Sequence, residues 1–252
     1  STLERLGVSG RDDLDAAAVC VFDHGAAPPQ VSDRAFRFDY IRQRLAADRR
    51  LSTFAFLAGT QPAAMTRLAA VAACAADLPC PLLVMDSAPA AVLGAGFDPL
   101  AAQCEHMLVA NIGNFHTLAF RLGPGGIEGV FEHHTGLIDR ARLEGLLVAL
   151  ADGSLTHAEV FGSMGHGALV YGAQPLDLAG PGVRLLVTGP RRNLLAGSRL
   201  KPVFAVPFGD MMTAGCFGLL AATADCLPDL REPLLASLRS GAGRGTPPWE
   251  VL

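Results

Sequence analysis

Five of the seven histidines, His24, His116, His133, His134 and His166, stand beside Gly, Asn, Glu or Asp where turns or strand ends are expected. Neutral imidazoles near carboxylates are what divalent-metal binding and general acid–base catalysis both require. His24, His133, His134 and His166 are therefore candidate ligands of a divalent metal whose identity the sequence leaves open. Asp23 or Glu132 is the candidate base, and His116 joins them as a catalytic candidate. Side chains alternate along a strand, so Glu132 and His134 share one face of residues 127–135 and His133 takes the other. Plainer readings stand beside these: hydrogen-bonded histidines at a sheet edge, an Asx-type turn at Asp23-His24, a flexible loop at Gly165-His166-Gly167. A single polar cleft would explain all of the residues at once. It predicts that at least three of the five histidines point into one cavity, each with a hydrogen-bond partner, while His106 and His157 are solvated and Asp210 caps a helix.

The elements that must position these groups follow from hydrophobic periodicity. Ala16 to Phe22 is an apolar run that predicts a buried strand, ended by the turn-rich Asp23-His24-Gly25-Ala26-Ala27-Pro28-Pro29. Ser32-Asp33-Arg34 starts a helix to about Arg50, with Phe36, Tyr40, Ile41 and Leu45 on one face. A second helix is expected from Pro62 to Ala76, with Pro in its first turn. Leu82-Leu83-Val84-Met85 is the next strand, ending in Asp86-Ser87 before the small-residue helix 88–95. Strands around 107–110 and 115–120, then 127–135 after the turn Gly123-Pro124-Gly125-Gly126, make an antiparallel meander. Helices follow over 139–150 and from Thr156, strands over 183–188 and 203–206, and an apolar helix over 210–223. Residues 1–15 form a polar lead-in, and the Gly/Pro-rich 241–248 has the composition of a frayed tail.

Composition narrows the function classes. The chain has 252 residues, half of them hydrophobic and 17% charged, with a formal charge of -4. A pI near 5.9 and no basic cluster longer than the pair Arg191-Arg192 argue against nucleic acid as a partner. Mean hydropathy is +0.34, yet no uncharged apolar run reaches the roughly 18 residues of a membrane span. A cytoplasmic protein with a small-molecule ligand is expected. Its six cysteines lie mostly in apolar stretches, as buried reduced thiols do. Lys201 is the only lysine and follows Leu200, which excludes a Gly-Lys-Ser/Thr phosphate loop.

The order of elements predicts an α/β fold with mixed sheets, and four segments resemble the actin-like ATPase superfamily. Met85 to Ala95 looks like its first connecting helix, Val109-Ala110-Asn111-Ile112-Gly113-Asn114 with Thr117 like its second phosphate hairpin. Leu186-Val187-Thr188-Gly189-Pro190 resembles its adenosine motif, and Gly215 to Ala222 its second connecting helix. The resemblance implies a ribonuclease H-like fold around a nucleotide cleft. Asn111, Gly113, Asn114 and Thr117 would then hold phosphate, Asp86 a metal-bound water, and Gly189-Pro190 would border the base, with Mg²⁺ and ATP as cofactors. The sequence departs from that pattern in having Asn111 where an acidic residue is usual and in lacking a first phosphate hairpin. The expected fold therefore has its N-terminal part missing, with 1–95 as the remainder of the N-terminal lobe, 96–240 as the C-terminal lobe and 241–252 as a tail.

The chain is also similar to a family of unknown function within that superfamily, often labelled pyruvate formate-lyase activating enzyme. The matching residues are Asp23-His24-Gly25 with Pro28-Pro29, Ser32-Asp33-Arg34 with Phe36-Arg37-Phe38, and Asn114-Phe115-His116-Thr117. Phe131 to Gly136, Gly165-His166-Gly167 and Gly209-Asp210-Met211-Met212 continue the match. A radical activating enzyme is not expected, because no Cys-x-x-x-Cys-x-x-Cys loop occurs. Three functions stay open: nucleotide or phosphometabolite binding with phosphoryl transfer or hydrolysis, a metal-dependent hydrolase or lyase, and a non-catalytic regulatory or assembly protein.

Overall fold

The small and β-branched residues after Asp15 build β1 (Ala17–Val21) in a computed structural model that describes residues 13–172 and 174–242. Two mixed sheets follow from the chain order. The first has the order β1-β3-β2, with β1 parallel to β3 (Leu82–Asp86) and the short β2 (Ala55–Leu57) antiparallel to it. Helices α1 (Asp33–Ala47) and α2 (Thr66–Cys74) connect these strands. Ser32 caps α1 by accepting from the Ala35 amide, and the helix buries Phe38, Tyr40, Ile41 and Leu45 together with one charged residue, Arg37.

The second sheet holds six strands. β4 (His106–Ile112), β5 (His116–Gly123) and β6 (Gly126–His134) form the expected antiparallel meander, turning through Pro124-Gly125. β7 (Gly167–Val170) extends it beyond β6. On the other side β4 runs parallel to β8 (Val183–Thr188), which runs parallel to β9 (Val203–Phe204), giving the order β7-β6-β5-β4-β8-β9. Helices α4 (Arg140–Asp152) and α5 (His157–Gly162), capped by Asp139 and Thr156, join the meander to β7. Leu143, Leu146, Leu147 and Leu150 of α4 pack on the face of this sheet opposite the other sheet's core.

Two helices cross in the angle between the sheets. α3 (Ser87–Ala95) and α6 (Ala214–Cys226) touch along Gly94 and Gly218. A Cβ built on Gly94 would sit inside the carbonyl of Ala214, and one on Gly218 inside that of Ala90. Only backbone fits there, so Gly94→Ala should force the helices apart. We expect it to lower stability by about 1–3 kcal/mol, the usual cost of overpacking, seen as a fall in melting temperature. An unchanged melting temperature would contradict this account of the crossing.

Several boundaries differ from the sequence expectations. Pro62 lies in a turn before α2, which starts at Thr66. α6 starts at Ala214 rather than Asp210, because Asp210 is extended and spends its carboxylate on the Met212 amide in an Asx turn. β2 and β7 were not expected; three and four residues are too few to display alternation. A last helix, α7 (Arg231–Ala242), ends the described chain, so residues 1–12 of the lead-in and 243–252 of the tail lie outside it. Among the described residues no helix is long and apolar enough to cross a membrane.

Candidate functional site

Antiparallel pairing of β5 with β6 sets His116 opposite His134 and Leu118 opposite Glu132, so His116, Glu132 and His134 share one face. That face meets the exit of β1. Asp23 accepts from the Gly25 amide through Oδ1 and from the Arg67 and Leu68 amides through Oδ2, each at 2.9 Å. It thereby ties the strand exit to the start of α2. Gly25, at φ +78°, completes the bend that turns His24 toward the meander. The fourth contributor, His166, precedes β7, and Arg34 anchors its loop by donating to the carbonyls of Phe161 (3.0 Å) and Gly165 (2.7 Å).

The result is a knot of imidazoles around one carboxylate. His24 Nε2 lies 3.1 Å from His116 Nδ1, His116 Nδ1 lies 3.0 Å from Glu132 Oε1, and His24 Nε2 lies 3.5 Å from that same oxygen. His166 adds its ring 4.8 Å from His116 and 5.2 Å from His24, and one ligand atom from each of the four residues falls within 4.8 Å of the rest. The His134 ring sits 4.9 Å from His116 and 4.6 Å from His166.

Behind the carboxylate is a buried guanidinium. Arg37, 1% exposed, donates from Nε to Glu132 Oε2 at 2.9 Å and from one terminal nitrogen to Asp86 Oδ2 at 2.6 Å. Its other terminal nitrogen donates to the Asp23 carbonyl at 3.0 Å. Burial opposes ionisation of Glu132, but the Arg37 charge and the bonds from His116 and His24 outweigh it and hold this carboxyl well below the usual range. Burial pushes the Asp86 carboxyl up despite Arg37. One guanidinium thus faces two buried carboxyl groups, and the remaining negative charge calls for a proton or a second cation. Burial also keeps His166 neutral, lowered to about 3, and lowers His134 with help from His116 and His133.

A single proton cannot serve all three edges: one on His116 Nδ1 serves those of 3.0 and 3.1 Å and leaves the 3.5 Å edge between His24 and Glu132 without one. A neutral imidazole nitrogen either donates or accepts, and a proton at one corner of the triangle serves only the two edges that meet there. A cation at the centre serves all three. Zinc at 2.0–2.1 Å from tetrahedral ligands sets ligand–ligand separations of about 3.3 Å, inside the spread seen here. Two imidazoles and a carboxylate on one side of an ion, with a third imidazole nearby, form a donor set for zinc or iron(II), whereas magnesium takes oxygen ligands. The Nδ1 of His166 is buried without a hydrogen-bond partner, contrary to the expectation that every histidine would have one.

The knot closes one end of a cavity of about 1240 Å³ between the sheets. His24, His116 and His134 line it, as do Asn111, Gly113, Asn114, Gly189 and Pro190 at the carboxyl ends of β4 and β8. Four expected site residues stand elsewhere. Asp23 has both carboxylate oxygens bonded to backbone amides, which fixes the strand exit, and it does not line the cavity. His133 faces the other side of β6, its nitrogens 3.1 Å and 2.9 Å from the carbonyls of His134 and Ser163. Asp86 is turned to Arg37 and caps α3, and Thr117 is fully buried with its hydroxyl on Thr135. His106 and His157 are half-buried rather than solvated, His157 stacking on Phe161.

Sequence reasoning missed the role of Arg37, although a signal existed: a charge on the helix face that carries Phe38, Ile41 and Leu45. Thr188 and Met211 also line the cavity; they lie in segments that the sequence singles out, without being named there as site residues.

No curated protein matches the chain. A family model described as "Putative pyruvate format-lyase activating enzyme (DUF1786)" matches residues 2–194, a span that contains all four members of the His/Glu group. The match covers most of the sequence, and the chain belongs to this family of unknown function.

Proposed function

We propose that the chain is a metal-dependent hydrolase or lyase whose cleft holds one zinc or iron(II) ion. The observation that carries this reading is the triangle of His24 Nε2, His116 Nδ1 and Glu132 Oε1, with edges of 3.0–3.5 Å that one cation can serve together and one proton cannot. His166 is the fourth donor. When bound, such an ion polarises a substrate oxygen and lowers the pKa of water. Arg37 holds Glu132 by its far oxygen, which leaves Oε1 directed at the imidazoles. His134, neutral and open to the cavity beside this group, is placed to take and return a proton. Titration of the chelator-stripped chain with zinc should give one ion per chain with a clear rise in melting temperature. Absence of binding at micromolar zinc and at micromolar iron(II) would end the reading.

A second reading, nucleotide or phosphometabolite binding in an actin-like cleft, is favoured by a separate observation. Asn111, Gly113, Asn114, Gly189 and Pro190 meet at one cavity beyond the carboxyl ends of two adjacent parallel strands. A mixed sheet that contains an antiparallel meander is also what the resemblance implies. In this reading Asn111, Gly113 and Asn114 hold phosphate, and Gly189-Pro190 borders the base. Among the described residues no carboxylate lines the cavity, so the residues present do not fit Mg²⁺ as the resemblance would have it. Millimolar MgATP should raise the melting temperature if this reading holds, and calorimetry without heat of binding would reject it.

A further inference from the structure

The cavity is walled mainly by carbon, and its rim carries apolar side chains that water surrounds. Phe115, in the turn between β4 and β5, is 79% exposed; Met212, just before α6, is 77% exposed; Leu137, after β6, is 59% exposed. These three come from separate segments, yet all line the same opening, and Phe22, Leu118 and Met211 continue the apolar surface inward. Scattered exposed apolar residues need no explanation, but several converging on the mouth of a concave site mark a ligand surface. Charged groups are few in the lining, and the histidines and Thr188 are more buried than the apolar rim. The Thr188 hydroxyl oxygen, in a residue 1% exposed, has no hydrogen-bond partner, and Arg67 is the only guanidinium among the described lining residues, with no lysine and no carboxylate beside it.

We infer that the substrate is an amphiphile: an apolar acyl or aryl body seated between Phe115, Leu137 and Met212, and a head with at most one negative charge that reaches the histidine end. The inference rests on the metal reading for the head and on the rim alone for the body. A polyphosphate would bring several charges to a wall with one guanidinium, whereas a carboxylate or acyl carbonyl matches what is there. The large volume, about 1240 Å³, suits a body well beyond a few carbon atoms.

The test compares acetohydroxamate with octanohydroxamate on the zinc-loaded full chain by calorimetry. The two share a metal-binding head and differ by six methylene groups. Each methylene removed from water is worth about fourfold in affinity, so burial of only half of them predicts octanohydroxamate at least about 50-fold tighter. Phe115→Ser and Met212→Ser, both at exposed positions, should each cut octanohydroxamate binding by about 5–10-fold and leave acetohydroxamate and zinc affinity unchanged. A preference under about threefold, or one that both variants leave intact, overturns the inference while the zinc titration still supports the metal. If zinc does not bind, the metal reading fails, and anilinonaphthalene sulfonate, a singly charged aryl probe, decides on the metal-free chain. Fluorescent binding lost in Phe115→Ser supports the apolar seat, and no binding overturns it.

Discussion

Glu132→Gln is expected to weaken zinc binding by at least about 100-fold while leaving the backbone of β6 in place. The change keeps the shape of the side chain and removes its charge, so the ion loses its only anionic donor. Loss of groups that merely orient a ligand already costs 10–100-fold in affinity, and Glu132 supplies the ligand atom itself. His116→Ala should do the same, because His116 Nδ1 is the corner shared by the two shortest edges. His133→Asn provides the contrast: its ring faces the other side of the strand toward Ser163, so zinc affinity should hold even where stability falls. Equal losses in all three variants would mean that the fold, not the donor set, had been damaged.

Arg37→Met should be the most destabilising single change away from the imidazoles. It strips the partner from two carboxylates that are each 0–2% exposed. Removing one member of a buried ion pair typically costs 3–5 kcal/mol, since the charge left behind stays out of water. In a chain of this size that is a fall of roughly 6–20 °C in melting temperature. The acid limb should move as well. Glu132 has its native pKa depressed, so its stabilisation is complete above the unfolded value of about 4.3 and is lost as pH falls through the lower native value. Without Arg37 that native value rises toward the unfolded one, so the contribution of Glu132 shrinks and the part of the acid-side loss that it causes becomes smaller. A melting temperature within about 2 °C of the parent would show that the network contributes little.

The sequence made the meander, the capped helices and the strand-end histidines legible because each is a local matter. Gly123 to Gly126 specifies a turn, Ser32, Asp139 and Thr156 have hydroxyl or carboxylate caps, and Glu132 and His134 differ from His133 by strand parity alone. What stayed hidden is long-range. Nothing near Asp23 in sequence says that its oxygens will meet the amides of residues 67 and 68. Nothing beside Arg37 says that its two carboxylate partners lie 49 and 95 residues away. Asp86 illustrates the resulting error: a carboxylate at a strand end reads as a ligand, yet its nearest cation arrives from a helix of the same sheet layer and turns it inward.

His24 leaves the smaller sheet, while His116 and Glu132 stand on the larger one, 92 residues further along in the first case. An ion held by all of them is a reversible staple that closes a long loop, much as a disulfide would, but with an equilibrium set by metal supply. Because the unfolded chain offers no assembled site, occupancy withdraws molecules from the open population that proteases attack. If the site is filled in the cell, the lifetime of this protein should therefore follow the free concentration of the metal, and starvation for the ion should remove the protein itself.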